Sequence, residues 1–237
     1  MSNESHRIRD GVLRLGMTNF WSGDLGLTLI SISLVFLVFV VVPTREAGIP
    51  GRIFFDSAIF VLMALAALAA KQSRLETSFM IAMVLSTAIF LVYGRLHPTL
   101  LNRLIGSVLT TLTLLLYVRI VLLVMFRAGA ITWSRIQGAV SAYLLIGLAW
   151  GSAYEFLEGL QPGSFHFITQ PGDVDQLAAK LTYYSFSTLT TVGFGDITPL
   201  LPFSRSLSVA EAIVGQLFPA ILVGALVAMA MQSSAKS

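Results

Sequence analysis

The chain has 237 residues, 56% of them hydrophobic and only 11% charged, where a soluble globular chain carries about 25% charged residues. A formal net charge of +3, scattered along the chain, gives no argument for a nucleic-acid partner. With no cysteine, disulfides, thiolate metal sites and a cysteine nucleophile are excluded, and a mean hydropathy of +0.83 points to lipid as the solvent.

Residues 1–24 are polar and basic and lack the apolar stretch and cleavage site of a signal peptide. Ile8, Val12, Leu15 and Phe20 fall roughly on one side of a helix. This segment is either an amphipathic helix on the membrane surface or a frayed cytosolic tail. Asn3 opens a glycosylation sequon by pattern only.

A bilayer span takes about 20 apolar residues. Six runs come near that length: Leu25–Val42, Ile53–Ala70, Ser78–Tyr93, Leu104–Phe126, Ile136–Phe156 and Leu207–Met231. Short loops carrying Pro, Gly or charge join the first five. Between the fifth and sixth runs lie about fifty residues. Within them, Leu177–Thr190 is apolar and aromatic yet too short to cross, which suits a re-entrant helix. The strip "TLTTVGFGDITP", Thr188–Pro199, follows directly. Non-helical backbone at membrane depth is tolerated only where protein encloses it or it lines a water-filled path. The expected fold is therefore an all-α membrane protein of six transmembrane helices, with a re-entrant pore helix and filter loop before the last.

The segment "TVGFG", Thr191–Gly195, has a chemistry suited to that place. A partly dehydrated cation needs oxygens in place of water, and backbone carbonyls are neutral and stack at one-residue intervals. Pointing successive carbonyls one way requires alternating handedness along the strand. Gly193 and Gly195 adopt positive φ without steric cost, while Val192 and Phe194 turn their side chains outward. The Thr191 hydroxyl adds a further ring of oxygens, and four chains around one axis would form a column of K⁺-sized sites.

"TTVGFGD" resembles the potassium-channel signature, with Phe194 for the commoner Tyr. The resemblance covers Ile136–Met231, about 40% of the chain. Its helix order is similar to the bacterial six-transmembrane, single-pore-loop channels of the voltage-gated-like superfamily. The resemblance implies a homotetramer in the lipid bilayer, passing K⁺ held at Thr191, Val192, Gly193 and Phe194, with no other cofactor and no nucleic acid. It implies that Asp196 hydrogen-bonds an aromatic of the pore helix, where Tyr183 and Tyr184 replace the usual Trp pair. Ser187 stands where some relatives place a glutamate paired with the filter Asp. Glu155 matches a glutamate that braces the pore-loop backbone, its alternative being an interfacial carboxylate facing water. Gly215 falls at the family's inner-helix hinge, and Gln216 would face the inner cavity. Pro219 and Gly224 are further hinge candidates, or packing residues.

Residues 25–127 are then a voltage-sensor-like four-helix domain and 136–231 the pore domain. Residues 232–237 are a cytosolic tail with no C-terminal ligand domain. In the fourth run, Arg119 precedes only Arg127 and lacks the repeat of a sensor helix. One charge per subunit supplies at most about 9 kcal/mol per 100 mV across four subunits, so voltage gating is expected to be weak or absent. Arg119 is either a residual charge sensor or a snorkelling cation. Thr110, Thr111 and Thr113 are expected to bond neighbouring helices or their own carbonyls. Gly147 and Gly151 form a small-residue face for close packing, and His97 and His166 are loop histidines. The short linker before the fifth run favours the first four helices packing beside their own subunit's pore. Charge asymmetry leans slightly toward an inner-membrane protein with both termini cytosolic. Without "HExxH", "GxSxG" or a P-loop, an enzyme is not expected. A non-conducting regulatory subunit or an ion-coupled potassium transporter are the alternatives.

Overall fold

The computed structural model describes residues 31–47, 74–97, 99–126 and 133–234. The N-terminal amphipathic segment, the run Ile53–Ala70 and most of the linker before the fifth run lie outside the described residues.

Residues 31–36 are helical and continue through a π-helical segment, Leu37–Val41, into α1, Val42–Glu46. The widening has a local cause. Pro43 has no amide to give and its ring crowds the carbonyl one turn back, and the Val42 amide reaches past that turn to the Leu37 carbonyl. The helices α2 (Arg74–Leu96), α3 (Leu100–Met125) and α4 (Trp133–Leu160) follow. Then come a short strand β1 (Phe165–Phe167), α5 (Val174–Leu189), β2 (Ile197–Pro199) and α6 (Pro202–Ser234). Among the described residues, Leu100–Leu123, Ile136–Leu160 and Pro202–Ala225 are long and apolar enough to cross a membrane. The run at Ser78–Gly94 is shorter.

Two apolar clusters hold these elements. The larger joins Leu34, Leu37 and Val41 to Met80 and Val84 of α2, Tyr117 and Val121 of α3, and Ala142 and Leu145 of α4. Hydroxyls supplement it where lipid offers none. Thr87 and Thr113 pair at 2.8 Å between α2 and α3. Ser31 and Ser141 pair at 2.7 Å between the first helix and α4. Thr111 bonds its own helix at the Ser107 carbonyl, 2.8 Å. The threonines of α3 thus divide between neighbour and self.

The second cluster gathers Tyr154, Phe165, Phe167, Leu177, Leu181, Tyr184 and Ile197 at the Leu160 end of α4. β1 and β2 pair antiparallel beside it, Phe165 opposite Pro199 and Phe167 opposite Ile197. Pro199, without an amide, sits at the end of a two-stranded edge, where the loss costs no ladder bond. No strand is expected from the sequence of this loop, because three residues on each side are too few to show a period of two.

α5 lies between α4 and α6, and small residues set the distances. A Cβ at Gly151 would stand 2.9 Å from the Thr182 backbone, and one at Gly147 2.5 Å from the Phe186 ring. At Gly215 it would stand 1.9 Å from the Leu189 carbonyl oxygen. Gly215 is therefore required by close approach of α6 to the C-terminal end of α5, a reason independent of any hinge. Gly215→Ala is expected to destabilise the fold by about 1–3 kcal/mol through overpacking. Gly138→Ala, whose Cβ would meet only Val121 at an ordinary 3.7 Å, should leave stability unchanged or raise it by up to about 1 kcal/mol. Thermal unfolding of the two variants in detergent checks the contrast.

Candidate functional site

α5 begins with a cap that its sequence supplies. The Asp173 carboxylate accepts the amides of Asp175 at 3.0 Å and Gln176 at 2.8 Å, meeting two of the orphan donors of a first turn. The helix ends at Leu189, and its last carbonyl accepts the Tyr143 hydroxyl of α4 at 3.2 Å. The chain then leaves helical geometry until α6 begins at Pro202.

Thr191, Gly193 and Gly195 have φ of 59°, 57° and 81°, so every second residue of the strip is left-handed. Glycine meets this at two positions without cost. Thr191 is the only non-glycine with positive φ among the described residues, a conformation that costs an L-residue about 1–2 kcal/mol. The sequence gives no sign of it, since only glycine announces positive φ.

Three successive amides of the strip return to one residue. Val192 and Gly193 donate to the Ser187 carbonyl at 2.9 and 3.2 Å, and Phe194 donates to the Ser187 hydroxyl at 3.3 Å. No peptide bond is cis, and in a trans peptide the N–H and C=O point opposite ways. With those amides turned toward α5, the carbonyls of Thr191, Val192 and Gly193 face away from it. Residues 191–195 are all exposed on the single chain. The strip thus offers a row of carbonyl oxygens on an open surface, which is a chemistry for cations.

Side chains around the strip fix its far end. The Phe194 ring stacks on Tyr183, centroids 6.0 Å apart and planes 13° from parallel, with Phe194 still 67% exposed. Tyr183 and Asp196 line one cavity beside the strip, and the Asp196 carboxylate accepts the Ile197 amide at 3.1 Å. The Asp196 carbonyl accepts the Ile168 amide at 3.0 Å, tying the strip to the β1–β2 pair. Tyr184 points elsewhere. It packs edge-on against Tyr154 and Phe165 and its hydroxyl meets Ser208 of α6 at 2.6 Å. The two tyrosines of the pair therefore divide the work, one holding the strip and the other holding α6.

Glu155 is not where the resemblance puts it. Its carboxylate lies in the field of Arg103 and Arg45, beside Ser107, between α1, α3 and α4. The amides of Gly163 and Phe165 go instead to Glu158, at 2.8 and 3.1 Å. The reason is position along the axis: residues three apart share a face of α4, but the later carboxylate stands about 4.5 Å further on, at the level of the loop. Gln216, Pro219 and Gly224 are exposed on α6, which runs unbroken through Pro219. Arg119 is exposed on α3, His166 on β1, and His97 packs against Tyr93 with centroids 4.8 Å apart.

Two features escaped sequence reasoning. Glu211 of α6 is fully buried, bonded to Tyr154 and to Ser185, the latter at 2.5 Å. A lone glutamate in an apolar helix was the available signal. The second is an ion pair, Lys180 of α5 to Glu46 of α1 at 3.1 Å, which closes one side of a cavity of about 330 Å³ also lined by Tyr183, Asp196 and Thr169. It joins residues 134 apart in sequence, a separation no local pattern can reveal.

Residues 142–232 match the family model described as "Ion channel". They contain α5, the exposed strip and most of α4 and α6, and they make up less than half of the chain. No curated protein matches the chain, and no solved structure matches it. The match, with the three apolar helices, supports an ion channel in a membrane.

The cap of α5 can be tested without touching the strip. Asp173→Ala should lower stability by about 0.5–2 kcal/mol, while Asp173→Asn, which keeps an acceptor for the same amides, should lose little. Denaturation midpoints of both variants measure it.

Proposed function

We propose that four copies of this chain assemble around an axis lined by Thr191–Gly195 and conduct K⁺ passively across the membrane. The observation that carries this reading is the exposed strip of alternating handedness, whose amides are bound on one side and whose carbonyls face the other. Such backbone cannot face lipid, because each unpaired polar group there costs several kcal/mol, about 2–7 for an amide. A partner surface or a water-filled path must cover it, and copies related by rotation supply both.

The inner helix supports assembly. Only 17% of its apolar window Pro202–Ala225 is buried within one chain, against 56% for Ile136–Leu160. Val209, Ile213, Leu217 and Ile221 are each more than half exposed, as expected of a helix that packs on its copies. Lipid contact alone would leave the strip beside it uncovered.

Gating falls to α6, to the strip or to the first four helices. Pro219 removes one hydrogen bond from α6 and favours a bend there, near Gly215, Gln216 and Gly224. Arg119, one charge on an exposed face, gives at most a weak response to voltage.

Flux into liposomes containing the purified protein tests the proposal. Uptake of K⁺ and Rb⁺ but not Na⁺ is expected, and Gly193→Ala should abolish it, because a Cβ is strained at φ 57°. Equal passage of Na⁺ would overturn selectivity. Absence of flux at both signs of voltage would favour a non-conducting regulatory subunit.

A further inference from the structure

Glu211 is 0% exposed. Its polar neighbours among the described residues are hydroxyls: Tyr154 of α4 donates to Oε2, and Ser185 Oγ of α5 lies 2.5 Å from Oε1. The same Ser185 Oγ lies 2.7 Å from the carbonyl oxygen of Gly147 on α4. Counting protons decides what this chain can be. A serine hydroxyl has one proton to give, and a peptide carbonyl has none. If Glu211 were a carboxylate, Ser185 would face two acceptors with a single proton. One of the two short oxygen–oxygen contacts would then be unbonded and repulsive. An ionised carboxylate here would also lie buried with no cation among its described neighbours, the arrangement that costs most.

A proton on Oε1 removes the conflict. We propose that Glu211 is held as a neutral carboxylic acid and acts as a positioning residue for the strip, at the centre of a directed chain in which Tyr154 donates to Glu211, Glu211 to Ser185, and Ser185 to the Gly147 carbonyl. Every proton is used once and every acceptor is filled. The chain pins three helices at one point. On α5 that point is two residues before Ser187, which carries the amides of Val192, Gly193 and Phe194. On α6 it is one turn before Gly215, which abuts the Leu189 carbonyl. A shift of α6 is therefore transmitted to the strip's anchor through Glu211. The positioning role rests on the channel reading given above, while the protonation state does not.

Infrared difference spectroscopy on the reconstituted full-length protein at neutral pH tests the state, with wild type compared with Glu211→Gln. A carbonyl band of a protonated carboxyl, shifted by deuterium exchange and missing from the variant, is expected. Carboxylate bands alone in that difference would overturn the proposal. Ser185→Ala, which keeps the acid but removes its acceptor, should move the band to higher frequency and serves if the first variant does not fold. The role is read by Rb⁺-over-Na⁺ discrimination. Glu211→Gln, an uncharged isostere able to donate to Ser185 and accept from Tyr154, should retain it, and Glu211→Ala should lose it. Folded Glu211→Gln protein that lost discrimination would overturn the neutral-acid role. A band without flux in any variant would leave the acid assigned and bring down the channel reading alone.

Discussion

Everything distinctive in this chain follows from one constraint: five residues of non-helical backbone, Thr191–Gly195, must be accommodated among apolar helices. A helix satisfies its own amides and carbonyls, and lipid satisfies none. The strip's solution is asymmetric. Its amides converge on the carbonyl and hydroxyl of Ser187, and planar trans peptides then turn the matching carbonyls the other way. Binding one row of groups is what presents the other.

That solution is only as rigid as Ser187, and the surroundings of α5 hold it from several directions. Gly151 lets α4 approach to backbone contact on one side and Gly147 makes room for the Phe186 ring, while Gly215 lets α6 reach backbone contact at the C-terminal end. Side chains larger than hydrogen at these points would move the helix and with it the anchor of the strip. The β1–β2 pair ties the strip's exit to the loop before α5, so the segment is fixed at both ends. The two adjacent phenols have separate tasks, Tyr183 stacked on Phe194 and Tyr184 bonded to Ser208.

The front of the chain also reaches this site. The first helix packs through Leu34, Leu37 and Val41 against α3 and α4, and its end meets α5 through Glu46 and Lys180. With Glu155 facing Arg45 and Arg103, charges from four elements meet near the start of α5. Partly exposed pairs contribute little to stability, about 0–1 kcal/mol. Their value lies in register: Lys180 and Glu46 fix which part of the first helix stands beside which turn of α5.

The sequence by itself determined the solvent, the long helices and the place of the strip. An apolar excess, run length and two glycines one residue apart are local properties, legible wherever they occur. It located α5 and its end within a few residues, but it treated Ser187 only as a place where a partner for Asp196 is missing, and the role of Ser187 in holding three amides of the strip came from the structure. Only the tertiary structure decided which carboxylate does what. Glu155, Glu158 and Glu211 look alike in sequence, yet their depth along the helices and the elements that cross there send the first to arginines, the second to loop amides and the third into a dry cluster of hydroxyls. It likewise decided that Thr191 takes positive φ and that Gly215 is where two backbones touch. These depend on where distant helices cross, and burial, charge pairing and close approach are properties of those crossings. No window of the chain contains both partners.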